Sequence, residues 1–590
     1  MSQSFLCGQH GRSTYRVALP ISQKFLTTSD FQLARAVLQG DSSTNRQESD
    51  KAKRIKLVNI IDRETPNILT YQTGNPERER ARKAIAPSFS NTSLYQTWPY
   101  IQEGLLEEFC TMRELVSTDT LLDCRRNFLR FTLRILARSA FGVEFTMDGT
   151  EDETNINGLE YLRSSDVAMG ERVKEFTLPF RRYFFWDKNV KVGAVAAQNL
   201  RRITAKMVHL YQTRVQQDGT KKGDNNNRRS IMQHIMGHTY PSDLSRLSDL
   251  GAITFAGHDT TGYSLCFLIM ELSRNPAVRA KLQAEIATVM PKIPLGRHAA
   301  APATAEGTGT TGSTCGRGDN VAAGINSHKP TQNGHAQTQT QDKGTQVPAA
   351  AMHGDPKLLS AICGLEYLTC CIRESFRLWP VAAVASSRTL EEDLVWEYDG
   401  DVEGTVSDDP NHSRSCSYSC SDENQGDGGS DNHHNGKHKD DDEKEKEKEK
   451  DTAHSSGGVR ANTTNTNKNT NANTKRKKKK LVLPKGSSVQ AHFFSMFRER
   501  WIDDPLTYKP ERWLPSNPQL PELKEMFIPF SIGKRACVGQ NMAMFQLRLI
   551  SAYLLHHFDF ELVGEPDFEF FLTLKPIGLN VRVTERIAWN

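Results

Sequence analysis

Two stretches of this chain, at about residues 291–353 and 397–478, cannot belong to a packed core, and they limit what the rest can fold into. The first is rich in Gly, Thr, Ala, Gln and Asn, with almost no large apolar side chains and no helical or strand periodicity. The second runs through a Ser/Gly/Asn/Asp stretch, the alternating charges Glu443 to Lys450, an Asn/Thr tract and most of the basic run Lys475 to Lys480. Ordering such a backbone costs about 1–2 kcal/mol of conformational entropy per residue, with no apolar burial to offset it. Both are expected to be disordered insertions. What is left, about three-quarters of the 590 residues, is predicted to be one large domain interrupted twice, and the insertions explain why only 37% of the chain is hydrophobic.

Outside the insertions the pattern is mainly α with a small β region. Apolar residues at Phe128, Leu129, Leu133, Ile135, Leu136 and Phe141 recur close to helical spacing among arginines and stop at Gly142, which predicts a core-facing helix. Ser248 to Leu272 is longer and apolar enough to run through the middle of a domain, yet it holds Gly257, His258, Asp259, Thr260 and Thr261 at its centre. Strand signals are few: Thr14 to Leu19, Lys24 to Thr28, Val381 to Thr389 and Leu481 to His492.

Composition excludes some partners. The 75 basic and 70 acidic residues nearly balance, which points away from nucleic acid, and the run Lys475 to Lys480 reads as a solvated charge run rather than an address. Eleven cysteines without repeating spacing in a chain of this size fit a reducing compartment rather than a disulfide scaffold. Cys416 and Cys420 with His433, His434 and His438 lack the regular spacing of a metal site. No run of 18 or more uncharged apolar residues occurs, and the start is polar, so no membrane span or signal peptide is expected from the chain as written.

The residues that carry chemistry centre on Phe530-Ser531-Ile532-Gly533-Lys534-Arg535-Ala536-Cys537-Val538-Gly539. A thiolate that binds iron needs an electropositive pocket, backbone N–H groups aimed at the sulfur, and a chain able to bend around the ligand. Gly533 and Gly539 supply flexibility, Arg535 supplies charge for a carboxylate, and Phe530 can shield the sulfur. The helical pattern Gln540 to Leu555 follows directly, so Cys537 would sit before a helix N-terminus that stabilises negative charge.

This segment strongly resembles the cytochrome P-450 signature Phe-x-x-Gly-x-Arg-x-Cys-x-Gly; all five fixed positions match, and Ala543 fits the usual continuation. The family's other motifs follow in order. Glu374 and Arg377, one helical turn apart, together with Arg512 in Lys509-Pro510-Glu511-Arg512-Trp513, match the ion network that supports the haem-binding loop. Ala256-Gly257-His258-Asp259-Thr260-Thr261 matches the oxygen-side helix: Asp259 and Thr260 are the expected proton relay, and Gly257 is expected to let oxygen and porphyrin approach the backbone. His258 carries no such expectation. Arg82 aligns with the Arg of the haem-contacting helix, while Arg78 stands where a Trp is usual, directed either to a haem propionate or to solvent. Arg388 occupies a strand position that commonly contacts a propionate, and the second insertion falls where relatives have a surface β-hairpin.

The resemblance covers about Tyr15 to Val583 apart from the insertions and implies the cytochrome P-450 fold, with haem b (iron protoporphyrin IX) bound through Cys537. It implies a monooxygenase that uses O2 on a lipophilic organic substrate. No flavin or nicotinamide fingerprint is present, so electrons would come from a flavoprotein reductase or a ferredoxin docking near Lys534, Arg498 and Arg500. Segments around Asn155 to Val190 and Val381 to Ser386 would line the pocket. The likeness further suggests peripheral membrane contact, at the endoplasmic reticulum or a plastid, although the anchor, the Pro-rich hinge and most of the first helix of microsomal members are not seen in this sequence. Two rival functions share the cysteine motif: a haem-thiolate isomerase or dehydratase needing no external electrons, and a non-enzymatic haem sensor or scaffold.

Overall fold

The computed structural model describes residues 14–18, 24–39, 50–51, 59–218, 230–290, 356–384, 387–399, 478–499, 501–570 and 572–586. The chain divides into a unit of Met1–Trp396 with Leu481–Asn590 and a second unit, Glu397–Lys480. All of the first insertion and nearly all of the second lie outside the described residues, as does the cysteine and histidine group at 416–438.

The main unit is built around one helix, Asp243–Arg274. Ser242 caps it by accepting from the Ser245 N–H at 3.2 Å, and Asp243 in the first turn and Arg274 in the last complement the helix dipole. From Tyr263 to Met270 the helix is apolar all round except Ser264, and Leu265, Cys266, Phe267 and Met270 are fully buried. The expected central helix is therefore present, longer at both ends than its apolar core. Its polar centre does not break it, because the hydroxyls there bond within the helix: Thr260, Thr261 and Ser264 donate to the carbonyls of Ala256, Gly257 and Thr260 at 2.7–2.8 Å.

Against it packs Cys124–Leu136, capped by Asp123 and continued by a single π-turn, Ala137–Phe141, that ends at Gly142 in the left-handed region at φ +66°. The two helices approach closely. A Cβ on Gly257 would lie 2.8 Å from Leu136 Cδ2, one on Gly262 would lie 2.9 Å from Leu129 Cδ2, and Thr132 Oγ1 donates to the His258 carbonyl at 3.0 Å. Gln540–His557 buries Phe545, Leu549, Ile550, Leu554 and Leu555 against the same core.

The strands at Thr14–Ala18, Lys24–Thr28, Arg388–Thr389 and Ser488–Ala491 fall where the sequence signals lay. They form one five-stranded sheet in the order Thr14–Ala18, Lys24–Thr28, Ser488–Ala491, Arg388–Thr389, Asp50–Lys51. Lys24–Thr28 runs parallel to Ser488–Ala491, with Leu26 opposite Val489. Leu394–Asp399 and Lys478–Leu483 form the two-stranded sheet whose connection carries the second insertion. Sequence reading missed the C-terminal strands: Phe558–Val563 pairs with Asn580–Glu585, and Asp567–Phe570 with Leu574–Ile577. Among the described residues no helix is long and apolar enough to cross a membrane.

Candidate active site

The loop before Gln540–His557 is closed by the Cys537 N–H donating to the Phe530 carbonyl at 2.9 Å. Within it Ser531 and Gly533 both take positive φ, +59° and +75°, so the bend falls on Ser531 and Gly533. The expectation that Gly539 serves the bend is corrected: its φ is −85°, open to any residue, and a Cβ there would meet Phe89 and the Cys537 sulfur at ordinary distances of 3.8 and 3.9 Å. What Gly539 supplies is its N–H. Desolvation pushes the Cys537 thiol pKa up, while the N–H groups of Gly539 and Gln540 and the charge of Arg82 pull it down. Cys537 is nevertheless exposed. A side chain both accessible and closely surrounded by protein faces a cleft rather than the outer surface. Phe530 stands against Phe376 edge to face at 5.7 Å, which walls one side of the loop.

Arginines gather around this loop. Arg78 is only 3% exposed and donates to the Lys534 carbonyl at 2.6 Å, so the solvent-facing alternative is excluded. Arg535 donates to the carbonyls of Tyr71 and Leu69 at 3.0 and 2.7 Å. Arg388 is buried in the five-stranded sheet rather than exposed on it. Arg498 is corrected as a docking residue: its guanidinium stacks over Phe494 at 3.6 Å, donates to the Phe494 carbonyl, and burial lowers its pKa to about 9. Arg500 lies outside the described residues, and Lys534 is exposed as expected.

Behind the loop stands the anticipated ion network. Glu374 accepts from Arg377 through both oxygens at 2.9 Å, from Arg512 Nε at 2.8 Å, from Trp513 Nε1 at 2.9 Å and from the Lys509 N–H at 3.0 Å. Arg377 in turn donates to the carbonyls of Phe497, Pro505 and Thr507. Glu374 and Arg377 are fully buried, so each charge depends on the others. Glu374→Ala should therefore destabilise the fold by about 3–5 kcal/mol, because two guanidiniums are left buried without their carboxylate. Chemical denaturation of the variant measures this, and a loss under about 1 kcal/mol would mean that solvent reaches the network.

Between Ser248 and Leu272 the accessible positions of the central helix form one stripe, Ile253, Ala256, Gly257 and Thr260, at spacings of three and four residues. Ala256 and Thr260 thus face open space from inside an otherwise buried helix. Gly257 differs from expectation in what its missing side chain permits, which is the approach of Leu136. Asp259 points away from the stripe, 2% exposed, and accepts from Thr573 Oγ1 at 2.8 Å. Burial raises its pKa, opposed by Lys575, His258 and Thr573. Lys575 leads outward, pairing at 3.0 Å with Asp166, whose side chain is 43% exposed. Thr573 and Lys575 were missed by sequence reading, since they lie in the turn and second strand of a hairpin that was not recognised. Burial lowers the pKa of His258, whose Nδ1 donates to the Thr254 carbonyl at 2.8 Å, and it has no part in the stripe.

This donor set fits a haem: one cysteine with two N–H groups on its sulfur, guanidiniums at Arg78, Arg82, Arg388 and Arg535 for an anionic ring, and a hydroxyl-bearing helix face. Comparison agrees. The sequence profile of the family described as Cytochrome P450 matches residues 13–295 and 463–582, more than half of the chain, so this protein belongs to the cytochrome P450 family. Membership implies a haem cofactor. A cytochrome P450 monooxygenase, BOA3, of Botryotinia fuckeliana (strain B05.10) is 36% identical over 115 residues, 18% of this chain and 23% of that protein. The alkane hydroxylase MAH1 of Arabidopsis thaliana is 34% identical over 119 residues, 18% of this chain and 24% of its own length. A probable cytochrome P450, 4p3, of Drosophila melanogaster is 38% identical over 109 residues, 18% and 20% respectively. These matches span less than a quarter of the relatives' length. The solved cytochrome P450 CYP102L1 shares the fold over 99% of this chain and 97% of its own, with a TM-score of 0.63 at 15% identity.

Proposed function

We propose that this protein is a haem-dependent monooxygenase that holds haem b through Cys537 and inserts one atom of O2 into a lipophilic substrate. When bound, the haem supplies the redox-active iron at which dioxygen is split, one atom entering the substrate and the other leaving as water. The net reaction consumes two electrons and two protons. Cys537 would hold the iron through its sulfur, and the N–H groups of Gly539 and Gln540 with the charge of Arg82 favour a thiolate there. Arg78, Arg82, Arg388 and Arg535 would receive the ring carboxylates. Phe530 keeps water from one side of the thiolate loop.

The observation that carries this reading is a buried Asp259, its pKa raised by burial, next in sequence to Thr260, whose side chain lies on the one accessible stripe between Ser248 and Leu272. Burial favours the protonated form of Asp259, which is linked toward the surface through Thr573, Lys575 and Asp166, while the Thr260 hydroxyl, donating to the Ala256 carbonyl at 2.7 Å, lies on the open face. An isomerase needs no such proton supply, and a sensor needs no turnover. Electrons would come from a flavoprotein reductase or a ferredoxin near exposed Lys534. The deciding experiment reconstitutes the haem-loaded protein with a reductase and measures oxygen-dependent product. A screen of lipophilic compounds for a shift of the haem absorption band identifies the substrate class. Turnover without electrons would favour the isomerase, and none at all the sensor.

Peripheral membrane contact has a specific support. Between the helices Gly158–Thr177 and Lys188–Asp218, Phe180, Tyr183, Phe185 and Trp186 are 58–73% exposed, beside exposed Arg182 and Lys188. Aromatic rings flanked by basic residues suit an interface with anionic lipid. Binding to phosphatidylcholine/phosphatidylserine vesicles is expected to weaken at least about tenfold when Phe185 and Trp186 are both changed to Ser, given roughly 1.5–3 kcal/mol for each large apolar side chain withdrawn from water. Equal co-flotation of parent and variant would remove the patch from consideration.

A further inference from the structure

Asp249 lies outside every motif recognised in the sequence, yet it continues the accessible stripe of the central helix. Asp249, Ile253, Ala256 and Thr260 follow at spacings of four, three and four, so they share one face, with Asp249 about 16 Å up the helix from Thr260. Unlike the rest of the stripe, Asp249 is covered, being 2% exposed. Its cover is the turn Asn67 to Tyr71. Asp249 Oδ1 accepts from the Ile68 N–H at 2.6 Å, and Oδ2 accepts from the Tyr240 hydroxyl at 3.1 Å. Burial raises its pKa to about 6, so these donors are what hold a charge there.

The turn itself is internally knotted. The amides of Thr70 and Tyr71 both donate to the Asn67 carbonyl, the Leu69 N–H donates to Asn67 Oδ1, and Asn67 and Thr70 both donate to Asn59 Oδ1. Its outer carbonyls, Leu69 and Tyr71, accept from the two terminal nitrogens of Arg535. Arg535 stands two residues before Cys537 in the same loop.

We infer that Asp249 is a positioning residue of the thiolate site: it fastens the turn Asn67 to Tyr71 to the oxygen-side helix, and the turn holds Arg535 and with it the thiolate loop. One five-residue turn thus joins the two faces between which the ring would lie. The inference rests on the reading of Cys537 as the iron ligand.

The test uses the full-length, haem-loaded protein with Asp249→Ala, Asp249→Asn and Asp249→Leu. Asn keeps an acceptor for the Ile68 N–H; Leu removes it while keeping the space filled, should the Ala variant fail to fold. Amide hydrogen exchange over residues 67–71 is read beside the lifetime of the red-shifted carbon-monoxide band, the thiolate's spectroscopic mark, in mild denaturant. Loss of the acceptor is expected to speed exchange about tenfold and to shorten the band's lifetime about tenfold, the order of one buried hydrogen bond. Asn should restore both toward the parent. Combining Asp249→Leu with Arg535→Gln should shorten the lifetime less than the product of the single effects, because both act through one turn. Faster exchange with an unchanged band lifetime, or multiplicative effects in the double variant, overturns the coupling. Should the parent lack the band, the Cys537 reading falls instead, and the exchange comparison alone decides whether Asp249 holds the turn.

Discussion

Cys537→Ser is expected to abolish the red-shifted absorption of the reduced carbon-monoxide complex completely. A serine hydroxyl stays protonated at neutral pH and donates far less charge to iron than a thiolate, and the Gly539 and Gln540 N–H groups would then face a neutral oxygen. Cys537→His should bind iron without restoring the band, since imidazole is neutral. The fold should survive both changes: Cys537 is exposed to its cleft, and the loop is closed by backbone, with the Cys537 N–H on the Phe530 carbonyl. Among the described residues Cys124, Cys266, Cys370 and Cys371 are buried, and desolvation raises the pKa of each. None offers an accessible sulfur with N–H groups turned to it. A Ser variant that kept the band would therefore assign the ligand to another cysteine and undo the central reading.

How much of this site could be read from sequence depended on how local its parts are. The thiolate loop is a contiguous segment whose residue types follow from its chemistry, and Glu374 and Arg377 are one turn apart on a single helix. Their buried network with Arg512 is as expected, because a short helical spacing and one distant motif specify it. Side-chain direction was less legible. Gly257 sits in the right helix, but whether its bare face meets a ring or a neighbouring helix depends on Leu136, over a hundred residues away. Arg498 reads as surface in sequence, yet Phe494 and Trp379 enclose it, which no charge pattern reveals.

The C-terminal strands failed for a different reason. Asp567–Phe570 is mostly exposed while Leu574–Ile577 is mostly buried, so neither shows alternation strong enough to mark a strand. That hairpin brings Thr573 and Lys575 to Asp259, 314 residues away for Thr573. The hydrogen-bond partner of Asp259 was thus invisible although Asp259 itself was not. Arg78 belongs to the same class: replacing an expected Trp, it reaches the Lys534 carbonyl across 456 residues.

The second large effect concerns the proposed proton relay of Asp259 and Thr260. Thr260→Ala removes the only hydroxyl on the accessible stripe while the backbone hydrogen bonds of the helix stay in place, so haem and substrate binding should persist. Electrons should still be consumed, but more of the reduced oxygen should leave as hydrogen peroxide and less as product. Asp259→Asn should slow turnover itself, by roughly 10²–10⁴-fold if the carboxyl is the proton donor, less if water substitutes. The pH dependence separates the two roles. Burial raises the Asp259 pKa, so the carboxyl keeps its proton to higher pH than an ordinary aspartate, and turnover limited by it should fall as pH rises through that raised value. Asn cannot titrate and should flatten that limb, whereas Thr260→Ala should keep it. The measurements are product formed per reductant consumed, peroxide released, and the rate across pH, in a system reconstituted with a reductase. Unchanged coupling and an unchanged pH limb in both variants would turn the assignment toward an isomerase, whose chemistry makes no call on protons from Asp259.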